Sequence, residues 1–181
     1  MDTLFFCTRW GQASIPWDAF ARKVKAAGYD GIETDLPATD KERNEVLNAI
    51  AANNLFLIAQ HWETVTENFE QHLEEYKERI ERLAAAEPLF INSQTGKDYY
   101  SFAQNEALLQ VAETIAQQTG IPVYHETHRG KFSFAAHVTG SYLKQLPQLL
   151  LTLDISHWCA VAETLLHDQA AVVASPVAEP R

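Results

Sequence analysis

The sequence predicts an α/β protein: a parallel (β/α) barrel of the TIM type, incomplete, with about six of the usual eight βα units. Three observations carry this reading. Short apolar runs alternate with longer amphipathic ones, roughly 25 to 35 residues apart, as βαβ units of a parallel sheet require. The first apolar run leads into Thr8-Arg9-Trp10-Gly11 rather than a glycine-rich phosphate loop. That counts against the competing closure, an open doubly wound sheet that binds dinucleotides. Finally, residues capable of chemistry gather where the apolar runs end, which on a parallel barrel is a single face.

Each element has a local cause. The strand candidates are Thr3–Cys7, Gly31–Thr34, Leu55–Gln60, Leu89–Ser93, Pro122–Thr127 and Leu149–Asp154. Pro16 suits the first turn of a helix, where its missing N–H costs nothing, and Gly28 stops that helix after Ala26 and Ala27. Thr39 or Asp40 caps the run to Ala52. In the third helix Phe69, Leu73, Tyr76, Ile80 and Leu83 form one apolar stripe. Opposite it lies a glutamate-rich face, which would also place His72 at the surface. Ser101 or Phe102 opens the fourth helix, and Gly120 closes it after Thr119. Cys159–His167 is expected to form one more helix. The barrel is expected to occupy residues 1–168, and 169–181, which lacks any apolar–polar rhythm, to be an irregular tail.

Composition bounds the class. A chain of 181 residues that is 46 % hydrophobic can bury a sizeable core, but a complete barrel of this type takes about 250 residues. The chain is therefore expected to end before the barrel closes. The net charge of −10 repels phosphate backbones and argues against nucleic acid as a partner. Two cysteines do not make a disulfide framework and fit a reducing compartment. No signal peptide and no apolar run of about 20 residues is visible, so a cytoplasmic location with no membrane partner is expected.

Two segments carry the chemistry, Val123-Tyr124-His125-Glu126-Thr127-His128-Arg129-Gly130 and Leu153-Asp154-Ile155-Ser156-His157-Trp158. A carboxylate at one strand end and Asp-x-x-His at the next supply oxygen and imidazole donors that suit Mn²⁺, Mg²⁺, Co²⁺ or Zn²⁺. Such an ion polarises a carbonyl while a glutamate moves a proton between adjacent carbons. Glu33, His61 and Gln94 close the second, third and fourth strands and are expected to contact substrate. His128 and Arg129 are expected to grip an anionic group. Trp10, Trp62 and Trp158 each follow a strand, where they either wall a sugar or pack the core.

Gly31-Ile32-Glu33, Glu126 and Asp154-x-x-His157, in this order of elements, resemble the xylose-isomerase-like barrel superfamily of sugar isomerases, ketose 3-epimerases, inosose dehydratases and endonuclease IV. The resemblance covers roughly residues 1 to 168 and is nearest to sugar phosphate isomerase/epimerase members. It implies that Glu126, Asp154 and His157 hold a divalent metal and that Glu126 also acts in catalysis. The family's remaining metal ligands, a His on strand seven and a Glu on strand eight, have no counterpart here. The metal is accordingly expected to bind weakly and the isomerase or epimerase activity to be impaired. The substrate class implied is a small sugar or sugar phosphate.

Two rivals stand beside this reading. One is a non-catalytic barrel fragment or remnant that binds a partner, with unpaired strand edges that favour a homo-oligomer. The other is an endonuclease-IV-like phosphodiesterase, which would need more histidines than the strand ends supply and which the negative charge opposes.

Overall fold

The computed structural model describes residues 3–169, and the expected irregular tail lies outside them apart from Gln169. Among the described residues six strands and six α-helices alternate: β1 (Phe6–Thr8), α1 (Trp17–Ala26), β2 (Gly31–Thr34), α2 (Asp40–Ala52), β3 (Phe56–His61), α3 (Phe69–Ala84), β4 (Phe90–Ser93), α4 (Phe102–Thr119), β5 (Val123–Glu126), α5 (Ala136–Gln145), β6 (Leu151–Thr152) and α6 (Ile155–Ala162). A short 3₁₀ turn, His167–Gln169, follows. All pairings are parallel and the strand order is β1-β2-β3-β4-β5-β6. A doubly wound sheet reverses direction at a switch point; here every strand is added to the same side. The result is a curled part of a TIM-type barrel.

The two faces of the sheet follow the strand period of two. Ile32, Leu57, Ala59, Ile91 and Val123 point outward into one core with Phe20 and Val24 of α1, Val46 and Ile50 of α2, Tyr76 and Ile80 of α3, and Leu108 and Ile115 of α4. Thr8, Glu33, Gln60, Asn92, Glu126 and Thr152 point the other way, into the barrel mouth. Thr8 pairs in register with Glu33, Gln60 with Asn92, and Glu126 with Thr152. At the other two steps the register slips: Glu33 lies beside Ile58 rather than Gln60, and Asn92 beside Tyr124 rather than Glu126. Each slip is two residues along the strand, the stagger that tilts strands around a barrel.

The elements fall close to expectation, with instructive differences. Thr39, Asn68 and Ser101 cap α2, α3 and α4, and Ser101 with Gln104 makes a reciprocal capping box. Gly31 is required: a Cβ there would overlap the Phe6 ring and the Phe56 carbonyl. The sixth strand is only Leu151–Thr152 rather than Leu149–Asp154. The last helix runs Ile155–Ala162, not Cys159–His167, because the Asp154 carboxylate accepts from the Ser156 backbone and starts a helix there. His72 is buried, not at the surface: its Nδ1 lies 2.9 Å from the Thr66 carbonyl, and its ring meets Tyr100 edge-on. Among the described residues no helix is long and apolar enough to cross a membrane.

Candidate functional site

The C-terminal ends of the strands open onto a cleft of about 800 Å³. Its centre is Glu126, the last residue of β5. Asn92, one strand away, donates from Nδ2 to Glu126 Oε2 at 3.1 Å and to Glu33 Oε1 at 2.8 Å, joining the two carboxylates through one amide. Gln60 donates to the same Glu33 oxygen at 3.2 Å, and Gln94 reaches Glu126 at 3.5 Å. Burial drives the Glu126 carboxyl above the usual carboxylate range. The negative charges of Glu33 and Asp154 add to the rise, while Gln94 and His157 work against it.

Two imidazoles close the site. His128 follows β5, His157 sits in the first turn of α6, and their rings lie 3.7 Å apart between centroids. One ligand atom from each of Glu126, His128 and His157 falls within 4.8 Å of the others. Burial lowers the pKa of both histidines, which favours the neutral ring with one free lone pair each. His128 places Nδ1 2.6 Å from the Arg129 carbonyl, which makes Nδ1 the donor and leaves Nε2 as the free base. That backbone contact is how metal-ligating histidines are usually oriented. His157 Nδ1 is buried with no partner.

This donor set fits a divalent cation: one carboxylate and two imidazoles, one of which carries an orphaned ring nitrogen. The structure brings together Glu126 and His157 from the expected trio, with His128 as the third member. Asp154 stands behind His157, its Oδ2 3.6 Å from Nε2, and its Oδ1 is occupied by the Ser156 N–H and hydroxyl. Burial pushes the Asp154 carboxyl up, but the Ser156 hydrogen bonds together with the nearby His157 and His128 more than offset it, and its pKa lies below the usual value.

Of the expected substrate contacts, Glu33, Gln94, His128 and Arg129 line the cleft. His61 does not. It is fully buried behind the sheet, with Nδ1 3.0 Å from Ser93 Oγ, Nε2 2.8 Å from Thr64 Oγ1 and its ring edge-on to Tyr76. It belongs to a closed chain in which Thr95 Oγ1 joins Ser93 at 2.8 Å and His125 Nδ1 at 2.7 Å. Desolvation holds His61 well below its normal pKa and His125 down at about 3. Of the three tryptophans, Trp158 is buried and its indole donates to the Ser133 carbonyl. Trp10 and Trp62 stand exposed at the mouth.

The sequence reading missed Asn92 and Gln60. The available signal was a polar residue one place before the end of an apolar strand, on the parity that faces the barrel axis. Lys131 was also missed. It is buried in the loop after β5, where desolvation first, and Lys97 second, lower its ammonium to about 8.

No family model and no curated protein matches the chain. Solved structures do. The 3-keto-D-glucoside 4-epimerase YcjR from E. coli shares 19 % identity, with a TM-score of 0.66, over 95 % of this chain and 77 % of its own. D-allulose 3-epimerase from Methylomonas sp. shares 15 %, TM-score 0.65, over 96 % of this chain and 69 % of its own. A xylose isomerase domain-containing protein from Salmonella typhimurium LT2 shares 15 %, TM-score 0.66, over 91 % and 66 %. The chain has the fold of the xylose-isomerase-like TIM barrels, and spans about two thirds to three quarters of these proteins' length.

Proposed function

We propose that this chain is a metal-dependent isomerase or epimerase acting on a small sugar or sugar derivative. The observation that supports it most is the convergence of Glu126, His128 and His157, with ligand atoms within 4.8 Å of one another, beside a second carboxylate, Glu33. Glu126, His128 and His157 would hold the ion, and Asp154 would orient His157. This departs from the expected ligand trio by exchanging Asp154 for His128. When bound, a divalent ion polarises the carbonyl of an α-hydroxycarbonyl compound and acidifies the adjacent C–H.

The rest falls to the chain's own groups. Glu126 is also the carboxylate placed to take and return the proton. Asn92 fixes its orientation and holds Glu33 at the opposite wall. Glu33, Gln60 and Gln94 offer acceptors and donors for sugar hydroxyls, and Arg129 a cation at the rim. The structural neighbours named for sugar epimerase activity support the reaction class.

Proton transfer at carbon has a direct readout. Ketoses incubated in D₂O with the chain and Mn²⁺ are expected to take up deuterium next to the carbonyl. Glu126→Gln is expected to slow that exchange about 10²–10⁴-fold. Exchange at equal rates in both would contradict the role given to Glu126.

A further inference from the structure

A second cavity, of about 570 Å³, opens beside the cleft and shares with it the walls made by Trp10, Gln60, Gln94 and His128. Nothing in the mechanism above uses this annex. Its own lining comes from the first residue of α1, Trp17, and from the loops after β2 and β3: Asp35, Leu36, Pro37, Trp62 and Glu63. Two indoles flank it and remain exposed, Trp10 at 71 % and Trp62 at 47 %. Trp10 has a single weak hydrogen bond, from Nε1 to Gln60 Oε1 at 3.4 Å, and neither indole belongs to a core cluster. Exposed indoles spend large apolar faces on water unless a ligand covers them.

The charges around the annex select what covers them. Among the described residues that line it, Arg9 is the one arginine or lysine. The guanidinium stacks on Trp17 at 3.7 Å and donates to the carbonyls of Ala13 and Ile15. Its Nη1 is buried and has no partner, and Asp35 lies close enough to act on its charge. Glu63 is occupied by Arg79 and Arg82 at 3.3 and 3.0 Å. Asp35 remains a hydroxyl acceptor, engaged only by Thr34 Oγ1 at 3.4 Å. With Glu63 held by Arg79 and Arg82, Asp35 and Arg9 offset one another, and the annex carries no excess positive charge to select an anion. An uncharged, hydroxyl-rich ring with apolar C–H faces satisfies the indoles, the amides and Asp35 together.

From this geometry we infer that the annex is a subsite for a second, uncharged sugar ring, so that the substrate is a glycoside rather than a free monosaccharide or a sugar phosphate. The inference rests on the isomerase/epimerase reading for the ring held in the main cleft, and names the substrate class of that site.

Calorimetric titration of the full chain with D-glucose, cellobiose and glucose 6-phosphate, with and without Mn²⁺, tests it. Cellobiose is expected to bind at least about tenfold more tightly than glucose, a difference of about 1.4 kcal/mol. Trp62→Ala, which touches only the annex, is expected to erase that preference while Mn²⁺ affinity stays unchanged, and Trp62→Phe to keep part of it. Glucose 6-phosphate is expected to gain nothing over glucose. Mn²⁺ binding with equal affinity for one ring and two overturns the annex and leaves the isomerase reading standing. A Trp62-dependent cellobiose preference without Mn²⁺ binding upholds the annex and overturns the metal-dependent reading. A phosphate preference abolished by Trp62→Ala overturns the uncharged ligand.

Discussion

At the scale of single residues, the site depends on side-chain parity along short strands. Asn92 bonds Glu33 and Glu126 at once, and it is buried, so it has no freedom to turn away. Asn92→Asp would set a third carboxylate between two others in a desolvated place. Denaturant unfolding is expected to show a loss of about 1–3 kcal/mol at pH 7. The loss should shrink at pH 5 as the cluster takes up protons; an unchanged loss at both values would contradict it. Parity also explains what the sequence reveals. Glu126 and His157 are legible because each stands beside a strand end in a segment dense with ligand-type residues. The third strand ends Gln60-His61, and the histidine attracts attention by its chemistry. A shift of one residue reverses the face, so Gln60 enters the cleft and His61 the packed layer behind it. No residue type announces that choice; it is fixed by which neighbours, Leu57 and Ala59, pack against the helices.

At the scale of elements, helix starts place the functional groups. α6 spans only Ile155–Ala162 and depends on Asp154 at its N-cap, where Oδ1 accepts from Ser156 N at 2.9 Å. Asp154→Ala is expected to cost about 1 kcal/mol, and Asp154→Ser to restore most of it by replacing the cap oxygen without the charge. Equal stability of the two variants would mean the cap does not hold this helix. The cap also shows why the element was misplaced. Asp-Ile-Ser-His extends an apolar strand as plausibly as it begins a helix, and only the turn of the backbone after Thr152 separates the two. α2 and α4 were legible because Thr39, Ser101 and Gly120 act locally, within one turn of the residues they stop or start.

At the scale of the whole molecule, the sheet is fastened to α3 by a buried polar layer that must stay uncharged. His61 and His125 have folded pKa values below the unfolded one, His125 at about 3. Below about pH 6.5 the unfolded chain therefore takes up protons that the folded chain refuses. Stability falls with falling pH by up to about 1.4 kcal/mol per pH unit for each histidine. Asp154, lowered in the fold, adds to the loss at more acid pH, whereas Glu126, raised in the fold, opposes it. His125→Asn, which keeps a partner for Thr95 Oγ1, is expected to flatten the slope between pH 6.5 and 4; an unaltered slope would place the effect elsewhere. Alternation alone announced a parallel sheet built of βαβ units. Its one-way strand order needed the register, because an open sheet and a barrel share the same local pattern.

As proposed, Glu126, His128 and His157 would form one metal-holding site, with Asp154 supporting from behind. Thermal unfolding of the chain with Mn²⁺ at a hundredfold excess over its Kd tests it most directly. Binding to the folded state alone is expected to stabilise by about 2.7 kcal/mol and to raise Tm by about 5–10 °C. This shift is expected to disappear in Glu126→Gln and His128→Ala and to persist, reduced, in Asp154→Ser. A shift that survives His128→Ala but vanishes in Asp154→Ser, or no shift in the unaltered chain, would contradict it.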